Sequence, residues 1–69
     1  MTEKSPIDRM LQFFQYEDLS QPLQDISRPC CELAYEMALA LPPGAEVTVG
    51  LRKLLEAKDC FVRAALNKQ

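Results

Sequence analysis

The segment Leu41-Pro42-Pro43-Gly44 divides this 69-residue chain into two helix-length patterns. The two prolines stop a helix arriving from the N-terminal side, and Gly44 readily turns the chain away. Upstream, Leu23, Ile26, Cys30, Leu33, Met37 and Leu41 are spaced 3, 4, 3, 4 and 4, which is one face of a helix. Downstream, Val47, Leu51, Leu54, Leu55, Phe61, Val62, Ala65 and Leu66 give a broad apolar face. They predict a helix that starts between Ala45 and Val49 and runs to about Asn67. A connection this short makes the two helices antiparallel neighbours. Val47-Thr48-Val49 is too short for a strand and is followed by Gly50, and no other segment reads as one.

Ser5-Pro6-Ile7-Asp8 is a helix start. Ser5 can cap, Pro6 suits the first helical position, and Asp8 lies near the positive end of the dipole. Ile7, Met10, Leu11 and Phe14 share one face, so a short helix is predicted over Pro6 to Phe14. Tyr16-Glu17-Asp18-Leu19 reads as a connector, and the second helix begins near Ser20 or Gln21 with Pro22 in its first turn. Pro29 falls inside that helix. It lacks an N–H and crowds the Asp25 carbonyl, so a kink or restart is predicted there, with Ser27 as a cap. The fold class is all-α: a single domain over residues 1–69, with a short N-terminal helix and two longer antiparallel helices, the second kinked near Pro29.

A chain this short buries a modest core and needs disulfides, a metal or self-association. It has three cysteines and no histidine. Cys30 and Cys31 are neighbours, about 100° apart on a helix, and Cys60 stands alone. These features favour reduced thiols and exclude a structural zinc site. Self-association remains, and a 48% hydrophobic content supports a homo-oligomer. The longest run without charge, Met37 to Ala45, is nine residues with two prolines, whereas a membrane span takes roughly 20 apolar residues.

The net charge of −2 argues against DNA or RNA as a partner. Residues 1–45 carry three basic and seven acidic side chains; residues 46–69 carry five basic (Arg52, Lys53, Lys58, Arg63 and Lys68) and three acidic. A basic third helix on an acidic body suits a local anion site. The plainer alternative is a solvated face with Arg52–Glu56 and Asp59–Arg63 pairs.

Catalysis by a Cys-His or Ser-His arrangement is impossible without histidine, and two glycines leave no phosphate-binding loop. The chain reads as a binding protein rather than an enzyme, with no cofactor and no metal. A small nucleotide needs guanidinium or ammonium groups for its phosphates and flat side chains for its bases. Of the five aromatics, Phe14 and Phe61 fit core stripes, while Tyr16 lies on the connector, where its ring can stack on a base or staple the second helix. Arg28 stands beside Pro29 and can meet an anion, or simply pair with Asp25 or Glu32. A pocket between protomers suits a chain with little room for a cavity of its own.

The order Phe14-Gln15-Tyr16-Glu17-Asp18-Leu19, then Pro42-Pro43-Gly44, then Gly50-Leu51-Arg52-Lys53-Leu54-Leu55-Glu56-Ala57 and Val62-Arg63-Ala64 covers about four fifths of the chain. It resembles the phage anti-defence sponges that sequester cyclic nucleotide signals of CBASS and Thoeris immunity. Their sequences carry an F-x-Y-x-x-L segment, a mid-chain break and an A-L-x-K-L-x-E-A-like helix. The resemblance implies a homo-oligomer, typically a hexamer, in the cytoplasm of an infected bacterium. It would bind cyclic di- or trinucleotides or cyclic ADP-ribose isomers between protomers without cleaving them. It further implies base stacking by Tyr16, phosphate contacts from Arg28, Arg52 or Lys53, and Arg63, and a hydroxyl contact from Thr48. Two other readings use the same residues. One is a protein–protein module or inhibitor that docks through its apolar stripe. The other is a helix-turn-helix DNA binder, which the acidic body disfavours.

Overall fold

The structure is a computed structural model and describes residues 5–67. Its elements are α1 (Pro6–Leu11), a 3-10 turn over Gln12–Phe14, α2 (Gln21–Ala40) and α3 (Ala45–Asn67). No strand occurs among the described residues. Lys68, part of the basic C-terminal count, lies outside them.

Local chemistry explains the boundaries. The Asp8 N–H donates to Ser5 Oγ at 3.1 Å, so Ser5 caps α1 with Pro6 in its first turn. The last turn tightens into the 3-10 turn and delivers Phe14 to the interior. After α2, the Leu41 N–H still reaches the Met37 carbonyl at 3.1 Å, and the two prolines then stop the helix. At the start of α3 the Thr48 N–H and hydroxyl both turn back to the Gly44 carbonyl, at 3.2 and 3.3 Å. Thr48 therefore belongs to the first turn of α3 rather than preceding it.

Two expectations for α2 are corrected. The helix does not restart at Pro29: Gln21–Ala40 is one element, and Ser27 caps nothing. Pro29 and Asp25 are both exposed, so the hydrogen bond lost at Pro29 falls outside the core. Packing of the turns on either side, around Ser27 and Ala34, then offsets the poor propensity of proline.

The second correction concerns which face is buried. The core is Met10, Leu11, Phe14, Ala34 and Leu51, with Ile7, Cys31 and Ala38 among the side chains packed against it. On α2 the face under α1 and the 3-10 turn is thus Ser27, Cys31, Ala34 and Ala38, spaced 4, 3 and 4. These are small residues, and they leave room for the Phe14 ring. Of the predicted stripe, Cys30 packs against the core and Leu23 and Ile26 are half-buried, while Leu33, Met37 and Leu41 stay uncovered, at 42%, 38% and 46% exposed. Phe61, expected in the core of α3, is exposed as well.

Ser27 is fully buried, and its Oγ has no hydrogen-bond partner. A buried hydroxyl without a partner opposes folding, and alanine also suits a helix better than serine. Ser27→Ala is therefore expected to stabilise the protein by about 1 kcal/mol, which is roughly 4–8 °C in the melting temperature of a domain this small. Thermal melts at equal protein concentration check it, and a lower melting temperature for the variant would contradict the packing described.

Candidate functional site

The connector between the 3-10 turn and α2 is held from both sides. Lys58 comes from the middle of α3 with its side chain only 12% exposed. Its Nζ donates to the Phe13 carbonyl at 3.1 Å and pairs with Asp59 Oδ1 at 3.3 Å. The ammonium thus closes the C-terminal end of the 3-10 turn, where free carbonyls attract a cation. From the other side Gln24 Nε2 donates to the carbonyls of Leu19 at 2.7 Å and Glu17 at 3.3 Å. Within the connector the Leu19 N–H reaches the Tyr16 carbonyl at 3.0 Å, and the Tyr16 N–H donates to Glu17 Oε1 at 3.2 Å. Tyr16 is half-buried in this fastened corner.

Arg28 lies one helical turn beyond Gln24 on the same side of α2. It is exposed and pairs with Glu32, Nε to Oε2 at 3.3 Å. Both partners are more than 60% exposed, so the pair contributes little to stability. Arg28 and the connector that carries Tyr16 therefore lie on the same side of α2.

The other candidates do not join them. Thr48 and Arg63 are 15 residues apart on α3, about 22 Å at 1.5 Å per residue. Arg52 and Lys53 are both exposed but point about 100° apart. Arg63 donates from Nη2 to Cys60 Sγ at 3.3 Å. The sequence-predicted Arg52–Glu56 and Asp59–Arg63 pairs are not formed: Asp59 turns to Lys58, and Arg63 to Cys60.

Two apolar concavities lie between α2 and α3, away from the basic residues. One, about 740 Å³, runs along Leu33, Met37 and Leu41 of α2 and Val47, Gly50 and Leu54 of α3, with Glu46 at its rim. The other, about 660 Å³, lies between Ile26, Pro29 and Cys30 of α2 and Phe61, Ala64 and Ala65 of α3, with Asp25 at its rim. Each has a carboxylate as its charged group, so neither draws a phosphate. None of Tyr16, Arg28, Thr48, Arg52, Lys53 or Arg63 lines either one.

The cysteines are free thiols. Burial pushes the Cys31 thiol up, with the carboxylates of Glu17 and Glu32 and neighbouring Cys30 acting in the same direction while Lys58 pulls it down. A thiol held in its neutral form is a poor nucleophile. No cluster of metal-ligating side chains forms among the described residues. No helix among them is long and apolar enough to cross a membrane.

Sequence reasoning missed Lys58 and Gln24. Lys58 looks like any solvated basic residue, and its partner is a backbone carbonyl 45 positions away. No family model matches this chain, and no curated protein or solved structure is significantly similar to it.

Proposed function

We propose that the protein sequesters a cyclic oligonucleotide signal, a cyclic di- or trinucleotide or a cyclic ADP-ribose isomer, and releases it unchanged. Binding takes place between protomers of a homo-oligomer in the cytoplasm of an infected bacterium, with a hexamer as the assembly. Tyr16 stacks on a base, and Arg28, Arg52, Lys53 and Arg63 supply charge to phosphates, with Thr48 adding a hydroxyl. The observation that carries this reading is the fastened corner. It holds the connector of the half-buried Tyr16 on the same side of α2 as Arg28, with the backbone tied by Lys58 and Gln24. A ring ordered before binding loses little freedom on stacking. The order of motifs shared with the sponge proteins supports the same conclusion. With Thr48 and Arg63 about 22 Å apart along α3, a pocket that uses both draws them from different protomers.

A second reading, a docking module for another protein, is favoured by the uncovered groove along Leu33 and Met37. Titration calorimetry against a panel of cyclic dinucleotides, cyclic trinucleotides and cyclic ADP-ribose isomers separates the two. Tight binding is expected, with intact ligand recovered after heat denaturation. Tyr16→Ala should weaken it about ten- to hundredfold, as removal of a base-stacking ring does, at unchanged oligomer mass. No binding across the panel, together with loss of activity on Leu33 or Met37 substitution, would establish the docking module instead.

A further inference from the structure

The α2–α3 hairpin is apolar on two sides, and α1 covers one of them. On the other side α3 carries Val47, Gly50, Leu54, Ala57, Phe61 and Ala64, spaced 3, 4, 3, 4 and 3, of which Val47 and Leu54 also reach the core. That is the a/d repeat of a helix built to pack against another helix. On α2 the same side carries Ile26, Cys30, Leu33 and Met37, spaced 4, 3 and 4, with Leu41 following. Both concavities lie along this one seam. Large side chains dominate the α2 edge, and every second seam position on α3 is small: Gly50, Ala57 and Ala64, seven residues apart.

We infer that a second copy of this chain occupies the seam. The two hairpins pack face to face about a two-fold axis parallel to the helices, so that α2 of each protomer lies over α3 of its partner. The result is an antiparallel four-helix arrangement. Leu33 and Met37 of one copy then fill the shallow strip left by Gly50 and Ala57 of the other.

Three observations select a second copy over another occupant. The first is size. From Ile26 to Leu41 the seam is about 22 Å long, and two adjacent helices make it about 20 Å wide. That is a footprint of about 440 Å² before corrugation is counted, at the small end of specific interfaces, where a standard one buries roughly 800 Å² per partner. The second is need. Among the described residues only five hydrophobic side chains are buried within the protomer, a small core that gains from a cover on the seam. A second copy is present wherever the chain is made, and closed two-fold pairing is the commonest solution. The third is complementarity: a bulky edge and a small-residue edge on the same face fit each other after a two-fold rotation. Asp25 and Glu46, the charged groups lining the concavities, sit at opposite ends of the seam and leave its centre apolar.

Self-association at the seam stands independently of the ligand reading. Neither Tyr16 nor Arg28 lines either concavity of the seam, so ligand binding and seam pairing are separable.

Light scattering on the ligand-free protein tests the inference. The wild type is expected at two or more times its 7.8 kDa chain mass. A Cβ added at Gly50 meets nothing within 4 Å in the protomer, so Gly50→Glu should keep the helix yet set a carboxylate in the seam. Its mass should fall to half the wild-type value or less, with the helical circular dichroism retained. Met37→Glu, from the α2 edge, should do the same and serves as the second variant should Gly50→Glu fail to fold. Leu39→Glu should leave the mass unchanged, because Leu39 is 86% exposed and off the seam. A monomeric wild type at the highest concentration that stays in solution would overturn the inference. So would wild-type mass in both folded seam variants.

Discussion

Phe14→Ala should abolish the cooperative thermal transition of this protein or lower it drastically. Phe14 is fully buried at the end of the 3-10 turn, in the cluster that joins Met10 and Leu11 to Ala34 and Leu51. Truncating a buried phenylalanine removes about 3–5 kcal/mol through lost transfer energy and the cavity left behind. A domain of this length has a total stability of about 3–10 kcal/mol at 0.05–0.15 kcal/mol per residue. The surrounding residues cannot collapse into the space, because on α2 they are the small side chains of Ser27, Ala34 and Ala38, already backed by helix backbone. Circular dichroism melts at a fixed protein concentration measure the effect, since self-association makes the midpoint concentration-dependent. A fall of only a few degrees would mean that Phe14 is not the centre of the core.

The second large effect is expected at Lys58. Its side chain is almost buried, and its ammonium is the tie between α3 and the Phe13 carbonyl. Lys58→Met keeps the apolar stem but removes a charge-assisted hydrogen bond, a loss of about 1.5–3 kcal/mol. The same ammonium draws down the Cys31 thiol, against burial and the Glu17 and Glu32 carboxylates. Its removal should therefore move Cys31 alkylation to higher pH, because the thiolate loses its one favourable neighbour. Peptide mapping after alkylation at several pH values reads Cys31 separately from Cys30 and Cys60. An unchanged melting temperature together with an unchanged Cys31 profile would show that Lys58 is solvated and does not hold the connector.

The parts of the fold legible in the chain are those decided by neighbouring residues. Ser5-Pro6 starts α1, Pro42-Pro43-Gly44 separates α2 from α3, and the apolar spacing sets the length of α3. In each case the cap, the missing N–H or the periodicity acts within one or two turns. The connector could also be read, because Tyr16-Glu17-Asp18-Leu19 breaks the helical spacing. What holds it could not. Lys58 and Gln24 act on backbone carbonyls, and a carbonyl carries no sequence signature. Nor could spacing show how the candidate basic residues relate to one another. Arg28 comes onto the same side of α2 as the connector of Tyr16 because of the turn between the 3-10 segment and α2, whereas Arg63 lies far along α3 from Thr48.

By itself the sequence determined that the chain is helical, where its helices begin and end, and that it lacks the residues of familiar catalytic pairs. Only the tertiary structure decided which apolar face of α2 is inside. The stripe of Leu33, Met37 and Leu41 carries the stronger hydrophobic signal, yet α1 and the Phe14 ring require a shallow surface. They settle on Ser27, Cys31, Ala34 and Ala38. Small residues permit close helix approach while adding little to a periodicity read from large ones. The tertiary structure also carried α2 through Pro29 as one element, since packing on both sides of the proline outweighs the single hydrogen bond it removes.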